Sequence, residues 1–479
     1  MKRKLIGALA AATALIAALS GPSNAQVAAS TAELTPAAID AYLGKVMEAT
    51  ALPGISVVVT HNDRVIHAAG YGQGSDGKPV TADTPMRVAS LSKSFTAMAV
   101  LTLVDAGKIQ LDEPVAEQLP GFRMADPRAT TITVRQLLNQ TSGLSDTTLD
   151  IGALEETTSL TQYVDRLKTG TLATDPGTRW AYCNVNYDLA ARLVEVAGGQ
   201  SFDDYLKQHV FTPLGMTHSA LRQEAVRPSD GYNSVFGAWM ARPELPGFLD
   251  GSGSGGVITT AADMGAWLVS QNGKGTQLVE PQSLRTMHSP SKVSDYGMGW
   301  SLDDDTKLLV HSGNLFTYTA VEAISPETGY GFAVMTNSAA LTDDTYTVAT
   351  GLFAMAEGRT PEVPGGERQT FELVLGLIGL AAVGLGIVGV ARSRRWAAGR
   401  AGRPGWRVAS RMVPVLLPVA VLAAYPDLIS FISNGRTVTW AQLTYFPVPL
   451  TITLTVAALA GAATAVMRLI RLRSIRSSR

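Results

Sequence analysis

Past residue 370 the chain carries three apolar runs, 371–391, 412–431 and 448–467, each close to the ~20 residues an α-helix needs to cross a hydrocarbon core. Backbone in lipid must satisfy its own hydrogen bonds, so these runs are restricted to helix and divide the chain into an all-α membrane region and a water-facing remainder. Arg392, Arg394, Arg395, Arg400, Arg403, Arg407 and Arg411 lie between the first two runs, and Arg468, Arg471, Arg473, Arg476 and Arg479 follow the third. Between the second and third stands only Arg436. The positive-inside rule therefore puts the first connection and the C-terminus in the cytoplasm, and 434–447 with everything before 371 outside. The N-terminal end agrees: Met1-Lys2-Arg3-Lys4 is basic, 5–19 is apolar, and Ser23-Asn24-Ala25 offers small residues for cleavage. Residues 1–25 read as a secretory signal peptide, too short in its apolar part for a retained span. The expected product is a multi-pass protein of the inner cell membrane with an extracytoplasmic, periplasmic domain at 30–357 and a Gly, Pro and Glu-rich linker at 358–370. Pro414, Pro418 and Asp427 in the second run read as a kink and an interfacial carboxylate.

The outer domain has to hold itself together by its core. Cys183 is the only cysteine, so no disulfide forms within the chain and no cysteine is present at the processing site for lipid attachment. The formal net charge of −1, with both signs interspersed, gives no case for nucleic acid. Hydrophobic periodicity predicts helices over 37–49, 91–104, 134–138, 160–168, 187–197 and 202–209, a hairpin over 55–68, and late strands at 308–310, 319–324 and 330–336. Strands at both ends with helices between them predict an α+β domain: a sheet flanked by helices, with an inserted helical lobe.

At the opening of the helix at 91–104, Ser90-Leu91-Ser92-Lys93 puts a hydroxyl and an amine on one face, one turn apart. An alcohol becomes a covalent nucleophile when a base adjoins it. The same spacing recurs at Ser289-Pro290-Ser291-Lys292, but Pro290 and the lack of apolar periodicity after it leave that serine on a loop. Gly251-Ser252-Gly253-Ser254-Gly255-Gly256 and Gly70-Tyr71-Gly72-Gln73-Gly74 lack the lysine of a phosphate loop and read as turns or the rim of a site. Asp303-Asp304-Asp305 reads as an exposed turn, the six histidines are scattered, and no metal or cofactor is implied. Cys183 reads as a packing residue.

Further motifs follow Ser90-x-x-Lys93 in a fixed order: Tyr182-Cys183-Asn184, then His311-Ser312-Gly313. Framing segments include Gln136-Leu137-Leu138-Asn139-Gln140-Thr141-Ser142-Gly143-Leu144, Pro213-Leu214-Gly215-Met216 and Tyr296-Gly297-Met298-Gly299-Trp300. Over 39–357 the chain resembles the serine β-lactamase and penicillin-binding-protein superfamily, on the side of the class C β-lactamases. The resemblance implies that Ser90 is acylated, that Lys93, Tyr182 or both take its proton, and that Asn184, His311, Ser312 and Gly313 bind and orient substrate. It also implies an oxyanion hole from the backbone amides of Ser90 and Asn314. His311 stands where the class C enzymes carry a lysine, and its ordinary pKa near 6.5 leaves it uncharged where lysine is a cation. Hydrolysis of a peptide, ester or D-amino-acid amide is expected ahead of efficient β-lactam turnover; a true β-lactamase and a penicillin-binding sensor are the alternatives. Gln140, where the family usually has histidine, is expected to be structural.

Overall fold

A computed structural model describes residues 34–248, 250–433 and 436–478. The expected signal peptide at 1–25 lies outside the described residues. Helix α1 (Pro36–Thr50) is followed by a hairpin of β1 (Gly54–His61) and β2 (Arg64–Gly72). Helix α2 (Ser92–Asp105) comes next, then the helical lobe with α3 (Val185–Gly198), and then α4 (Ala261–Gln271). Strands β3 (Ser301–Leu302), β4 (Leu309–Asn314), β5 (Thr319–Ile324) and β6 (Tyr330–Thr336) return the chain to the sheet, and α5 (Thr345–Ala356) closes the domain. The sheet is antiparallel throughout, in the order β2-β1-β6-β5-β4-β3.

Alternation along the strands sorts their side chains between two cores. Val57, Val59, Val321, Phe332 and Val334 face Ile39, Leu43, Val348 and Leu352 of α1 and α5. Val58, Ala320, Ala333 and Met335 face the larger core, which holds Phe95, Met98 and Leu101 of α2 with Trp267 and Leu268 of α4. Helix α2 is thus covered on nearly all sides, which is why its sequence is apolar around its circumference. A helix so enclosed holds its first turn rigidly.

The lobe contains a hairpin that periodicity does not reveal, Gly231–Val235 with Ala238–Arg242. Its two turn residues, Phe236 and Gly237, both have positive φ, 49° and 90°. This is the conformation that two-residue hairpin turns favour, here with Phe in a place usually held by Asn or Gly.

Helix α6 (Glu367–Ala391) and α9 (Val448–Ser477) are each long and apolar enough to cross a membrane. The run expected as one span at 412–431 is two helices, α7 (Val413–Ala423) and α8 (Tyr425–Ile432), bent by 64°. The break falls just ahead of Pro426, which has no N–H for the preceding turn; Pro418 lies inside α7. Close packing of these helices uses small residues. A Cβ on Gly461 would collide with the Val415 carbonyl, and one on Gly386 would come within 2.8 Å of Ala460 Cβ.

The expected linker differs too. Helix α6 begins inside it, at Glu367, and its head is docked on the outer domain. Arg368 is buried and donates to Ser234 Oγ at 2.6 Å and to the Thr50 carbonyl at 3.0 Å. Glu372, one turn on, accepts from Gly237 N at 2.6 Å, at the tip of the hairpin.

Candidate active site

Two features place Ser90. It sits in a 3-10 turn, Ala89–Leu91, at the mouth of α2, and Ala89 before it is held at φ 51°, a left-handed backbone that a non-glycine residue adopts at a cost. Strand β4 runs against that turn. A Cβ on Gly313 would collide with the Val88 carbonyl and meet Ala89 Cβ at 3.1 Å, so glycine there lets the strand edge lie beside Ser90. Leu315 N donates to Tyr318 O; by antiparallel alternation the N–H of Asn314 then points away from β5, toward the site.

Lys93 is fully buried, and its Nζ lies 3.0 Å from Ser90 Oγ, 3.0 Å from Asn184 Oδ1 and 2.7 Å from the Ser254 carbonyl. Three acceptors match the three protons of an ammonium. In the neutral amine the lone pair is free to face Ser90, with two N–H bonds kept. Burial holds Lys93 below the usual lysine range; Tyr182 and Asp188 oppose this, and Arg436 adds to it. The Tyr182 ring lies 4.8 Å from the Nζ.

Helix α3 organises the other side. Asn184 stands at its N-terminus, and one turn later the buried Asp188 accepts from Ser252 Oγ at 2.7 Å and Ser254 N at 3.1 Å. These bonds turn the Ser254 carbonyl onto Lys93, so the glycine-serine segment read as a rim is part of the site wall. Burial pushes the Asp188 carboxyl up, against the pull of Ser252 and Lys93. Gln140, at φ 61°, accepts from Cys183 N at 3.0 Å and Asn186 Nδ2 at 2.6 Å, which ties down the segment bearing Tyr182 and Asn184. Cys183 is buried, and its thiol is held well above the ordinary range by burial.

His311 is turned inward. Its Nδ1 lies 2.8 Å from the Ser312 carbonyl, which only accepts, so Nδ1 carries the proton and Nε2 accepts from the Tyr296 hydroxyl at 2.9 Å. Burial, with the charge of Lys93 in support, brings its pKa down to about 3. Histidine at 311 is therefore neutral, well away from its ordinary titration range.

A cavity of about 250 Å³ opens above Ser90, lined also by Asn184, Asp188, Ser254 and Asn314. His311 and Gly313 are buried in β4 behind it, and Ser312 is exposed on that strand. The far wall comes from the connection between α8 and α9: Arg436, Thr437, Thr439, Ala441 and Gln442. Sequence reasoning assigned no role to these residues, nor to Asp188, Tyr296 and Asp146. Asp188 left a signal, one helical turn after Asn184, and Tyr296 another, at the head of a framing segment. The second Ser-x-x-Lys is elsewhere: Ser289 follows the helix Pro281–His288 and its hydroxyl donates to the Arg285 carbonyl at 2.7 Å.

Residues 39–353 match the family described as Beta-lactamase. "Protein flp" of Staphylococcus aureus (strain MW2) is 28% identical over 313 residues, covering 62% of each chain. "Penicillin-binding protein 4" of Amycolatopsis lactamdurans is 40% identical over 181 residues, 37% of this chain and 47% of that one. The chain thus spans about 62% of the length of the first of these relatives and about half of the second. Among solved structures, the octameric penicillin-binding protein homologue from Pyrococcus abyssi superposes with a TM-score of 0.59 at 24% identity, over 71% of this chain and 80% of the other. With the family matched over most of its length and the same α+β fold, the chain belongs to the β-lactamase family of serine hydrolases.

Proposed function

We propose that this chain is a membrane-anchored, extracytoplasmic hydrolase that works through an acyl-enzyme on Ser90, its substrate a peptide, an ester or a D-amino-acid-containing amide. The observation that carries the reading is the buried Lys93 Nζ, 3.0 Å from Ser90 Oγ beneath an open cavity. Ser90 Oγ attacks the substrate carbonyl and its proton passes to Lys93, with Tyr182 beside it. The negative charge on the carbonyl oxygen is met by the N–H groups of Ser90 and Asn314. Collapse breaks the bond to the leaving group, which departs with a proton from the Lys93–Tyr182 pair; water then repeats the sequence to release the acid. Asn184 and Ser312 position the substrate, while His311 and Gly313 shape the strand behind them. Helices α6 to α9 anchor the chain, with the arginine-rich segments cytoplasmic.

A neutral His311 supports a peptidase or esterase reading over efficient β-lactam hydrolysis, because the strand offers no cation at that point. The penicillin-binding names of two similar proteins keep β-lactams as probes. Labelling with a fluorescent penicillin and with a fluorophosphonate tests the reading. Both label the wild type and neither labels Ser90→Ala, and Lys93→Met slows turnover roughly 10²- to 10⁴-fold. A penicillin adduct on Ser90 that lasts for hours, without any ester or peptide hydrolysis, indicates a sensor. Labelling that survives Ser90→Ala refutes the proposal.

A further inference from the structure

The connection between α8 and α9 does more than join two membrane helices. Arg436 donates from Nε to Asp146 Oδ2 at 2.9 Å, Thr437 donates from its N–H to the same oxygen at 3.3 Å, and Thr437 Oγ1 reaches the Asp146 carbonyl at 3.2 Å. Asp146 is buried in the lobe. Further on, the Thr444 carbonyl accepts from Arg242 at 2.7 Å, and the Arg242 guanidinium stacks 3.7 Å from the Tyr445 ring. Residues of the short helix Trp440–Leu443, capped by Thr439, lie between these anchors and face the cavity. The connection is therefore bound at both ends to the outer domain and walls the site.

Arg436 is the only basic side chain among the described residues lining that cavity. Only its Nε is bonded among the described residues, so the two terminal amino groups of the fork have no protein partner there. The guanidinium carbon lies 5.2 Å from the centre of the Tyr182 ring, which lies 4.8 Å from Lys93 Nζ. The cavity's acids are otherwise engaged: Asp188 by Ser252 and Ser254, Glu155 by Phe248 N at 3.0 Å. A guanidinium fixed along one edge and open along the other suits a planar, bidentate anion.

We infer that the membrane region completes the active site in cis, with Arg436 binding a carboxylate on the substrate and so selecting acyl donors that carry one near the scissile bond. The inference rests on the acyl-enzyme reading of Ser90. Its test compares the full-length protein in detergent on two depsipeptides, one ending in a free carboxylate and one capped as the carboxamide. In Arg436→Gln the ratio of kcat/KM for carboxylate over carboxamide falls about 10- to 100-fold, mostly through KM, and Arg436→Lys restores part of it. Because Arg436→Gln strips Asp146 of its partner, the double variant Arg436→Gln/Asp146→Asn is measured alongside, and fluorophosphonate labelling of Ser90 reports an assembled site. An unchanged ratio with Ser90 still labelled overturns the role of Arg436 alone. Equal loss on both substrates also overturns it, pointing to support of Tyr182 and Lys93 instead. Failure to label Ser90 in the wild type would sink the acyl-enzyme reading and this inference with it.

Discussion

At the scale of single residues the site separates two buried bases by their surroundings. Lys93 keeps three acceptors and a place beside Ser90, whereas His311 spends both ring nitrogens on Tyr296 and Ser312. With its pKa brought down to about 3, His311 stays neutral over the working range. Wild type and His311→Gln are expected to give kcat/KM profiles between pH 5 and 8 with the same apparent pKa values, measured on a neutral ester. A limb near pH 6.5 that vanishes in the variant contradicts this. The sign for stability follows from the depressed value. The unfolded chain takes up a proton near 6.5 that the folded chain refuses until about 3, so stability from this site is present above 6.5 and lost on acidification.

At the scale of elements, β5 carries an acid into the core. Glu322 lies opposite His311 in the β4–β5 register, fully buried, and accepts from Ser94 Oγ at 2.7 Å and Trp267 Nε1 at 2.9 Å. It thereby pins α2 and α4 to the sheet just behind Lys93. Burial raises its pKa to about 8, with both bonds pulling the other way. A carboxyl raised from 4.5 stabilises the fold fully below that value, and the contribution disappears as pH rises through about 8. Thermal unfolding of Glu322→Gln should therefore show a flatter dependence between pH 5 and 8.5 than wild type. Its stability relative to wild type should rise across that range by up to a few kcal/mol. Parallel curves for the two proteins would show that the carboxyl ionises without penalty.

At the scale of the whole molecule, the head of α6 and the connection before α9 both join the helical region to the outer domain. Arg368 holds the first, stacked 4.4 Å from the Trp239 ring and bonded to Ser234 and the Thr50 carbonyl. Arg368→Ala removes the ion-pair partner of Glu372, 3.9 Å away, and the donor to two buried acceptors, at a cost on the order of 3 kcal/mol. Limited proteolysis should then cut within 358–366 in the variant faster than in the wild type. If both proteins are cut at equal rates, the docking does not govern that segment.

Much of this was legible in the chain because it follows from local spacing. The apolar runs at 371–391 and 448–467 coincide with long helices, the antiparallel strands at 319–324 and 330–336 fall where alternation puts them, and Ser90 and Lys93 meet because one helical turn is a fixed distance. Gln140 and Cys183, read as structural, are buried in hydrogen-bonded or packed positions. Other features were hidden because they depend on residues far apart in sequence. The neutral state of His311 needs Tyr296 brought beside it, and the positive φ of Phe236 in its hairpin turn needs neighbours that hold it; the kink in the second run, by contrast, was legible from its prolines, though not its place before Pro426. Arg436, 290 residues from Asp146, enters the cavity only because two helices bring its connection back to the lobe. Spacing along one element is set by bond geometry, so sequence alone determines it; which distant charges share a low-dielectric cavity is decided by packing, and packing exists only in the folded chain.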